Sequence, residues 1–384
     1  MVSQVDEAKA FHQKVFDDEA AVLAFAPGRV NIIGEHVDYN DGVVLPFAIA
    51  QGVYCAISPN QLQLDRITSS NRMGEIIELQ HGQQVNNSFP HWATYILGAI
   101  ESFRPNSSVA NGFNMSISSD LPEGAGLSSS AALENATLMA LKDFYGLEIL
   151  PMDVAKLAQR IEHEYAGNPC GIMDQVASIF GVPKHALFFD IKSEKVSLAA
   201  CDPEANGYVF LICDTNIPHE LASSEYSIRR QQCESAALKL GIASLREYDG
   251  AIPSPILSDV ENSRLLHVSS EIDRVMRARD TLEDSQWLVL GQLLNESHNS
   301  LRDNYQVSIS PIDRAIDAAR DAGAAGARIL GGGFGGSVLV LTELKYSEAI
   351  KCAMTTELQK HKTVPRFLVA TPSRGAAILV SRPT

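Results

Sequence analysis

Residues 26–47, with the sequence APGRVNIIGEHVDYNDGVVLPF, place polar side chains between two apolar stretches. Arg29, Glu35, His36 and Asp38 lie around a glycine-containing turn that follows the strand-like AVLAFAPG. Charged and hydrogen-bonding groups concentrated at the end of a strand suit the binding of a small polyol, because each hydroxyl needs a donor or an acceptor. The pattern leaves open the alternative of a solvated loop.

A second segment, LPEGAGLSSSAALENA at residues 121–136, joins a glycine turn to three serines at the start of a helical pattern. Gly124 and Gly126 have no side chains, so a polyphosphate can approach the backbone closely. The free N–H groups and the dipole of a helix start favour anions. The segment therefore predicts a phosphate loop made of backbone amides. A capped helix after a turn is the alternative, because serine is a favoured N-cap.

A third segment, ARILGGGFGGSVLVL at residues 327–341, contains the spacing GxGxxG at Gly331, Gly333 and Gly336. A dinucleotide-binding fingerprint follows a strand and opens a helix, whereas this loop is predicted to follow the helix PIDRAIDAARDAG and to lead into a strand. We therefore expect the loop to pack against another glycine-rich loop. A dehydrogenase built on this loop is the reading that the context disfavours.

The fourth segment, EHEYAGNPCGIMDQ at residues 162–175, holds two carboxylates on either side of a bend rich in glycine and proline. Glu162 is predicted near the end of one helix and Asp174 in the first turn of the next, so the bend can bring both into one cleft. One carboxylate could then hold a metal ion while the other handles a proton. Alternatively, Glu162 faces solvent and Asp174 only stabilises a helix N-terminus.

Composition narrows the classes of protein that fit. The chain has 384 residues, 45% of them hydrophobic, and a net charge of −15. This acidity argues against binding to nucleic acid or to an anionic membrane surface. Six scattered cysteines without a CxxC pair indicate neither a zinc site nor a disulfide framework, so we expect reduced thiols in a cytoplasm. No apolar run reaches the length of a membrane span, and the first twenty residues lack the apolar core of a secretion signal.

The order of elements predicts an α+β fold in two parts. GVVLPFAIAQGVYCAISPN and GFNMSISSDLP read as strands, whereas HWATYILGAIESF, SSSAALENATLMALKDFYG and DVAKLAQRIEHEYAG read as helices. Gly146 and Gly167 are placed to end the last two helices. GYVFLICDT starts a second part with helices from about 220 to 304, a helix from 311 and the strand SVLVLT. We expect an N-terminal lobe of residues 1–195 and a C-terminal lobe of residues 196–384.

Together the four segments resemble the galactokinase family, within the GHMP small-molecule kinases. DTNIPHELASSEYSIRR at 214–230 and HNSLRDNYQVS at 298–308 are similar to further blocks of that family, so the resemblance spans most of the chain. It implies a two-lobed fold with the active site in the cleft between the lobes, and a final strand that returns to the N-terminal lobe. It also implies ATP-dependent phosphorylation of the anomeric hydroxyl of D-galactose, which gives galactose 1-phosphate.

The resemblance assigns residues to the sugar end of such a site. Asp174 would be the base or hydrogen-bond acceptor aimed at the anomeric oxygen, and Arg29 would steady that oxygen and the incoming phosphoryl group. The remaining contacts to galactose would come from Glu35, His36, Asp38, Tyr226 and the backbone of Gly171. Whether Asp174 removes the proton or only orients the hydroxyl stays open.

The resemblance also assigns residues to ATP and Mg²⁺. The phosphate loop would comprise Gly124, Ala125, Gly126, Leu127, Ser128, Ser129, Ser130 and Ala131. Ser130 and Glu162 would be the magnesium ligands. Trp92 and Tyr95 are similar to the aromatic pair near adenine, although each also suits an ordinary core position. Galactose and ATP are the expected partners of a monomeric protein.

Two related functions remain as alternatives. One is a 1-kinase for N-acetylgalactosamine or another monosaccharide, which would need room beside C2 of the sugar. The other is a galactose-sensing binding protein without catalysis. Sensors in this family lose part of the serine loop, whereas Ser128, Ser129, Ser130 and Ala131 are intact here and Asp174 is present.

Overall fold

Strands and helices alternate along the chain. The computed structural model describes residues 3–72, 74–83, 85, 89–103, 111–122, 124–218 and 222–382. The strands are β1 (Val22–Asn31), β2 (Val43–Val44), β3 (Pro46–Pro59), β4 (Leu64–Ser69), β5 (Ile76–Gln80), β6 (Phe113–Ser119), β7 (His185–Asp190), β8 (Lys195–Ala200), β9 (Tyr208–Asp214), β10 (Gly326–Leu330), β11 (Ser337–Glu343), β12 (Arg366–Ala370) and β13 (Ala377–Ser381). Those that the sequence predicts within residues 21–60 and 112–122 are present.

The helices are α1 (Gln4–Phe16), α2 (His91–Phe103), α3 (Ser129–Phe144), α4 (Pro151–Glu164), α5 (Met173–Phe180), α6 (Ala222–Leu240), α7 (Asp259–Glu283), α8 (Trp287–Ser300), α9 (Ser310–Asp321) and α10 (Ser347–Gln359). As the sequence predicts, a glycine in the left-handed region follows α3 and α4, with φ of 61° at Gly146 and 70° at Gly167. Among the described residues, each helix is too short or too polar to span a membrane bilayer.

The described strands form three sheets. The largest has the order β13-β1-β3-β6-β4-β5, in which β4 and β6 run parallel and the other neighbours antiparallel. The second has the antiparallel order β10-β11-β9-β12, and a small sheet pairs β2 with β7 and β8. Because β13 pairs with β1, with Ala377 opposite Phe25, the end of the chain lies on the sheet that its beginning forms.

Two hydrophobic clusters form the core, and each contains residues from both halves of the chain. One lies between the largest sheet and α2, α3 and α4, which we call the N-terminal lobe. The other packs the second sheet against α6, α9 and α10, which we call the C-terminal lobe. A division at residue 195 would cut the β7–β8 hairpin, since Asp190 pairs with Lys195.

Small side chains bring α3 close to the sheet. Ala131, Ala132, Ala136 and Ala140 are buried on its inner face, where they replace the bulkier residues of a typical amphipathic helix. The start of α3 therefore lies beside β1, and the amide of Arg29 donates to the carbonyl of Leu127 at 3.1 Å. This packing places the glycine–serine loop next to the end of β1.

Candidate active site

A cavity of about 850 Å³, here called the central cavity, lies where the glycine–serine loop, the bend between α4 and α5, and the loop after β10 meet. All four sequence segments singled out above contribute to its walls. The residues that line it include Arg29, Glu35, His36, Asp38, Tyr95, Gly124, Gly126, Ser128, Ser130, Glu162, Asn168, Gly171, Asp174, Tyr226 and Gly331. Residues far apart in the sequence thus line one open cleft.

Arg29 and Asp174 form a bidentate ion pair in the middle of this cavity. The Nε of Arg29 lies 2.7 Å from Oδ1 of Asp174, and its Nη2 lies 2.8 Å from Oδ2. The remaining nitrogen of the guanidinium, Nη1, donates to the carbonyl of Gly126 at 2.8 Å. Burial opposes the charge of Arg29, but Asp174 and Glu35 raise its pKa above the usual value. The pair is a fixed charged centre rather than a surface contact.

Ser128 connects the glycine–serine loop to the same carboxylate. Its Oγ donates to Oδ2 of Asp174. Ser128 is also the residue before the first turn of α3, with a left-handed φ of 60°, and among the described residues no side chain caps that helix start. The capped-helix alternative therefore does not fit this loop. The first N–H groups of α3 remain available to an anion in the cavity.

The two glycine-rich loops pack against each other. Gly124 and Gly126 have left-handed φ values of 75° and 65°. A methyl group added to Gly331 would lie 3.9 Å from the carbonyl oxygen of Gly126, and Ser337 Oγ donates to the carbonyl of Ala125 at 2.7 Å. The loop after residue 330 is the turn of the β10–β11 hairpin, so a strand separates it from the preceding helix. This strand was not predicted from the sequence, whereas the prediction that the loop leads into a strand and opens no helix is confirmed.

Ser130 and Glu162 lie together on the phosphate-loop side. Ser130 Oγ donates to Oε1 of Glu162 at 3.1 Å, and that oxygen also accepts from Asn168 Nδ2 at 2.7 Å. The other oxygen accepts from Gln175 Nε2 at 2.8 Å. Burial, together with Asp174, raises the pKa of Glu162. Glu162 is buried, which excludes the alternative in which it faces solvent.

The donor set at Ser130 and Glu162 fits Mg²⁺. A hydroxyl and a carboxylate are hard oxygen ligands, and Mg²⁺ in kinases binds one or two protein ligands while phosphates and waters complete its shell. Within the described residues, no cluster of three or more histidines, cysteines or carboxylates could form a complete protein cage. The side chains present therefore suit a metal that arrives with a nucleotide.

Glu134 is a buried carboxyl that was not predicted from the sequence. It lies in α3, one turn after Ser130, and is fully buried. Burial and the proximity of Glu162 raise its pKa to about 10, so it is uncharged at neutral pH. A glutamate inside a helix usually faces solvent, and only its spacing of four residues from Ser130 could have indicated that it lies on the inner face.

The predicted sugar-binding residues form another part of the cavity wall. Burial, with Asp174 and Glu35 nearby, raises the pKa of Asp38 to about 7. Burial, with His267 nearby, lowers the pKa of His36 to about 3, so its ring is uncharged at neutral pH. The ring of Tyr226 lies 5.4 Å from that of His36. This part of the wall combines a carboxyl, an imidazole and an aromatic face in a small volume.

Two tyrosines behind this wall hold His36 in place and were not predicted. His36 has a left-handed φ of 63°, and its Nδ1 lies 2.8 Å from the hydroxyl of Tyr39. That hydroxyl lies 2.8 Å from the hydroxyl of Tyr305, which is fully buried. The aromatic network gives a strained turn a fixed side-chain direction. Tyr305 comes from the C-terminal lobe, so no local pattern around residue 36 points to it.

Of the two aromatic residues predicted to lie near adenine, Tyr95 lines the cavity and Trp92 does not. Tyr95 lines the central cavity together with His91, and their ring centroids are 5.6 Å apart. Trp92 instead packs against the core of the N-terminal lobe and is not among the lining residues. Ala125 and Ala131 of the predicted phosphate loop are also buried and are not among the residues that line the cavity. On α2 the face that carries residues 91 and 95 points to the cavity, because residues four apart share a face.

Comparison with known families divides the chain in the same way as the motifs. Residues 10–59 match the galactokinase galactose-binding signature. Residues 94–182 match the GHMP kinases N terminal domain, and residues 278–360 match the GHMP kinases C terminal domain. The first match contains Arg29, Glu35, His36 and Asp38, and the second contains Ser130, Glu162 and Asp174.

Individual relatives match over most of their length. The chain is 41% identical to the galactokinase of Thermotoga neapolitana over 327 residues, which cover 85% of this chain and 91% of the relative. It is 38% identical to the galactokinase of Streptomyces coelicolor over 363 residues, or 92% and 93% of the two chains. The crystal structure of Lactococcus lactis galactokinase complexed with galactose superposes with a TM-score of 0.90 at 28% identity, over 98% of this chain and 100% of that one. A mevalonate kinase from Methanococcus jannaschii shares the fold, with a TM-score of 0.66 at 20% identity over 92% and 98%. The predicted α+β GHMP fold is thus confirmed, and the chain belongs to the galactokinase family of GHMP kinases.

Proposed function

We propose that this protein transfers the γ-phosphoryl group of ATP to the anomeric hydroxyl of D-galactose and releases galactose 1-phosphate and ADP. The observation that carries the proposal is the ion pair between Arg29 and Asp174, to which Ser128 is hydrogen-bonded. This pair stands between a loop suited to phosphates and a wall suited to a sugar. Membership of the galactokinase family supports the same reaction.

At the reacting centre, Asp174 accepts a hydrogen bond from the anomeric hydroxyl and fixes its direction. The side chain of Asp174 is 28% exposed, on its cavity side, whereas that of Arg29 is 5% exposed. Arg29 keeps the carboxylate oriented and supplies positive charge beside the oxygen that attacks phosphorus. Phosphoryl transfer has a loose transition state, so alignment and neutralisation of charge supply most of the catalysis.

At the nucleotide end, the amides at the start of α3 and the loop from Gly124 to Ser130 hold the phosphates of ATP. Within an acidic chain of net charge −15, this local array and Arg29 must attract the polyanion. Ser130 and Glu162 would hold Mg²⁺, which would neutralise charge on the β- and γ-phosphates. Asn168 and Gln175 keep Glu162 pointed toward Ser130 through their hydrogen bonds.

At the sugar end, Glu35 and Asp38 discriminate between hexoses. Both are acceptors for sugar hydroxyls, and a site built around a hydroxyl leaves its own groups unpaired when the wrong epimer binds. We assign the axial C4 hydroxyl of galactose to these two carboxylates, with His36 and Tyr226 completing the wall. Glucose, whose C4 hydroxyl is equatorial, is expected to be phosphorylated far less efficiently.

An ADP-release assay with ATP, Mg²⁺ and a panel of hexoses tests the proposal. We expect turnover with galactose, a much lower kcat/KM with glucose and N-acetylgalactosamine, and a phosphorus NMR signal for the 1-phosphate. Comparable kcat/KM for another sugar would favour a kinase with that specificity. Galactose binding without ADP release would identify a sensor and refute the proposal.

We further infer that the enzyme acts as a monomer in the cytoplasm. All six cysteines are free thiols in the structure, as a reducing compartment allows. Burial raises the pKa of Cys55 and Cys201, which keeps these two thiols protonated and unreactive. Light scattering of the purified protein measures the mass directly, and a mass twice that of the chain would contradict the monomer.

A further inference from the structure

Arg328 is a fully buried arginine whose side chain crosses from the C-terminal lobe to the N-terminal lobe. It lies on β10, and its Nε donates to the carbonyl of Ile32 at 2.7 Å while Nη2 donates to that of Asn31 at 2.5 Å. Its Nη1 donates to the carbonyl of Ile329 at 2.8 Å. All three nitrogens of the guanidinium therefore donate to backbone carbonyls, which fixes the orientation of the side chain.

The remaining contact of Arg328 is to Glu35. Nη2 lies 3.1 Å from Oε1 of Glu35, and the same oxygen accepts from the amide of Gly331 at 2.9 Å. Two donors therefore engage Oε1. Among the described residues, none donates to Oε2, and Glu35 lines the central cavity. One oxygen of this carboxylate is held by the protein, and the other is left for a ligand.

The turn that carries Glu35 is held from the same lobe. Gly34, with a left-handed φ of 105°, donates its amide to Oε1 of Glu271 at 3.0 Å. The carbonyl of Glu35 lies 3.1 Å from Nε2 of His267. Both partners belong to α7, and both contact the backbone only. Among the described residues, Arg328 is the charged side chain that is hydrogen-bonded to the Glu35 carboxylate.

We propose that Arg328 is a positioning residue for the sugar site: it holds one oxygen of Glu35 so that the other points at a hydroxyl of the hexose. The inference rests on the proposed function and adds a specificity-determining residue from the C-terminal lobe. Lysine cannot replace Arg328. A single ammonium group cannot donate at once to the carbonyls of residues 31 and 32 and to the Glu35 carboxylate, because it lacks the several coplanar N–H donors of a guanidinium.

The test compares Arg328→Lys with Arg246→Lys as a matched control. Arg246 also joins the two lobes, through Asp190 and the carbonyl of Asp41, but it does not line the central cavity. We expect Arg328→Lys to raise the galactose KM by about tenfold or more, the usual effect of losing a hydrogen bond between charged groups. Its ATP KM should stay within about twofold, and its preference for galactose over glucose should narrow. Arg246→Lys should leave all three quantities unchanged even if it lowers Tm.

A double-mutant cycle with Glu35→Gln separates positioning from a structural role. If Arg328 acts through Glu35, Arg328→Lys adds little to the galactose KM once Glu35→Gln is present. Additive effects, or an unchanged galactose KM and sugar preference in Arg328→Lys, would overturn the proposal. Arg328→Gln keeps two N–H donors and replaces the lysine variant if that variant does not fold. Absence of turnover in the unmodified enzyme would refute the proposed function instead, before any variant is compared.

Discussion

Replacement of Gly171 by alanine is the perturbation with the most definite geometric outcome. An added methyl group would lie 1.7 Å from Oδ2 of Asp38 and 2.2 Å from its Cγ. The backbone of Gly171 is outside the left-handed region, so alanine fits its conformation without strain. The three atoms nearest to the added methyl group all belong to Asp38, so the main expected effect is a collision with the carboxyl that we assign to the sugar site.

The size of the collision sets the expected loss. Side-chain carbons do not approach other atoms closer than 3.0 Å, so the carboxyl oxygen of Asp38 must retreat by more than 1 Å. A displacement of about 1 Å in a positioning group can cost roughly 10²-fold in rate. We therefore expect kcat/KM for galactose to fall by about two orders of magnitude, while KM for ATP changes little because the phosphate loop is not touched.

Steady-state kinetics with varied galactose, and thermal unfolding of the same samples, measure both consequences. Gly250→Ala is the control, because its added methyl meets only the end of the partly exposed Tyr248 side chain. That variant should have the kinetics of the unmodified enzyme. If Gly171→Ala keeps kcat/KM for galactose within about threefold, Asp38 does not hold the sugar in the way that the geometry indicates.

Three further predictions follow from single groups. Asp174→Asn should lower kcat by about 10²–10⁴-fold and leave galactose affinity, measured by calorimetry, within a few-fold, and a near-normal kcat would refute the role of Asp174. Since the pKa of Asp38 is raised to about 7, its accepting carboxylate form is lost as pH falls through 7, so KM for galactose should rise from pH 8 to pH 6. Asp38→Asn should remove this dependence, and a flat profile in the unmodified enzyme would contradict it. His12, buried between the hydroxyls of Ser58 and Ser116, has a pKa lowered to about 4, mainly by burial. Its contribution to the free energy of unfolding is fully present above pH 6.5 and is lost as pH falls toward 4, by up to about 3 kcal/mol. Urea unfolding at pH 7.5 and 4.5 should show that the free energy of unfolding decreases less at acid pH for His12→Gln than for the unmodified protein. Equal decreases in the two proteins would disprove the link.

The positions of the chemically active segments could be predicted from the sequence because each is a local pattern. Arg29, Ser130, Glu162 and Asp174 were found from glycine turns, serines at a helix start and a bend between two helices, and the structure brings all four to one cavity. The helices α3 and α4 follow from apolar spacing and a closing glycine, which also depend only on neighbours in the sequence. Strands β4, β5, β10 and β12 were not predicted, since each has only five or six residues and is too short for its own pattern to identify a strand.

What the sequence alone determined is the inventory of reactive groups and the elements that carry them. Only the tertiary structure decided which groups face each other: Glu35 with Arg328, almost 300 residues later, His36 with the Tyr39–Tyr305 pair, and the buried Glu134 beside Glu162. It also decided that Tyr95 and not Trp92 lines the cavity. The physical reason is that the cost of burying a charge or a polar atom depends on its partners across the whole fold, and those partners have no fixed spacing along the chain.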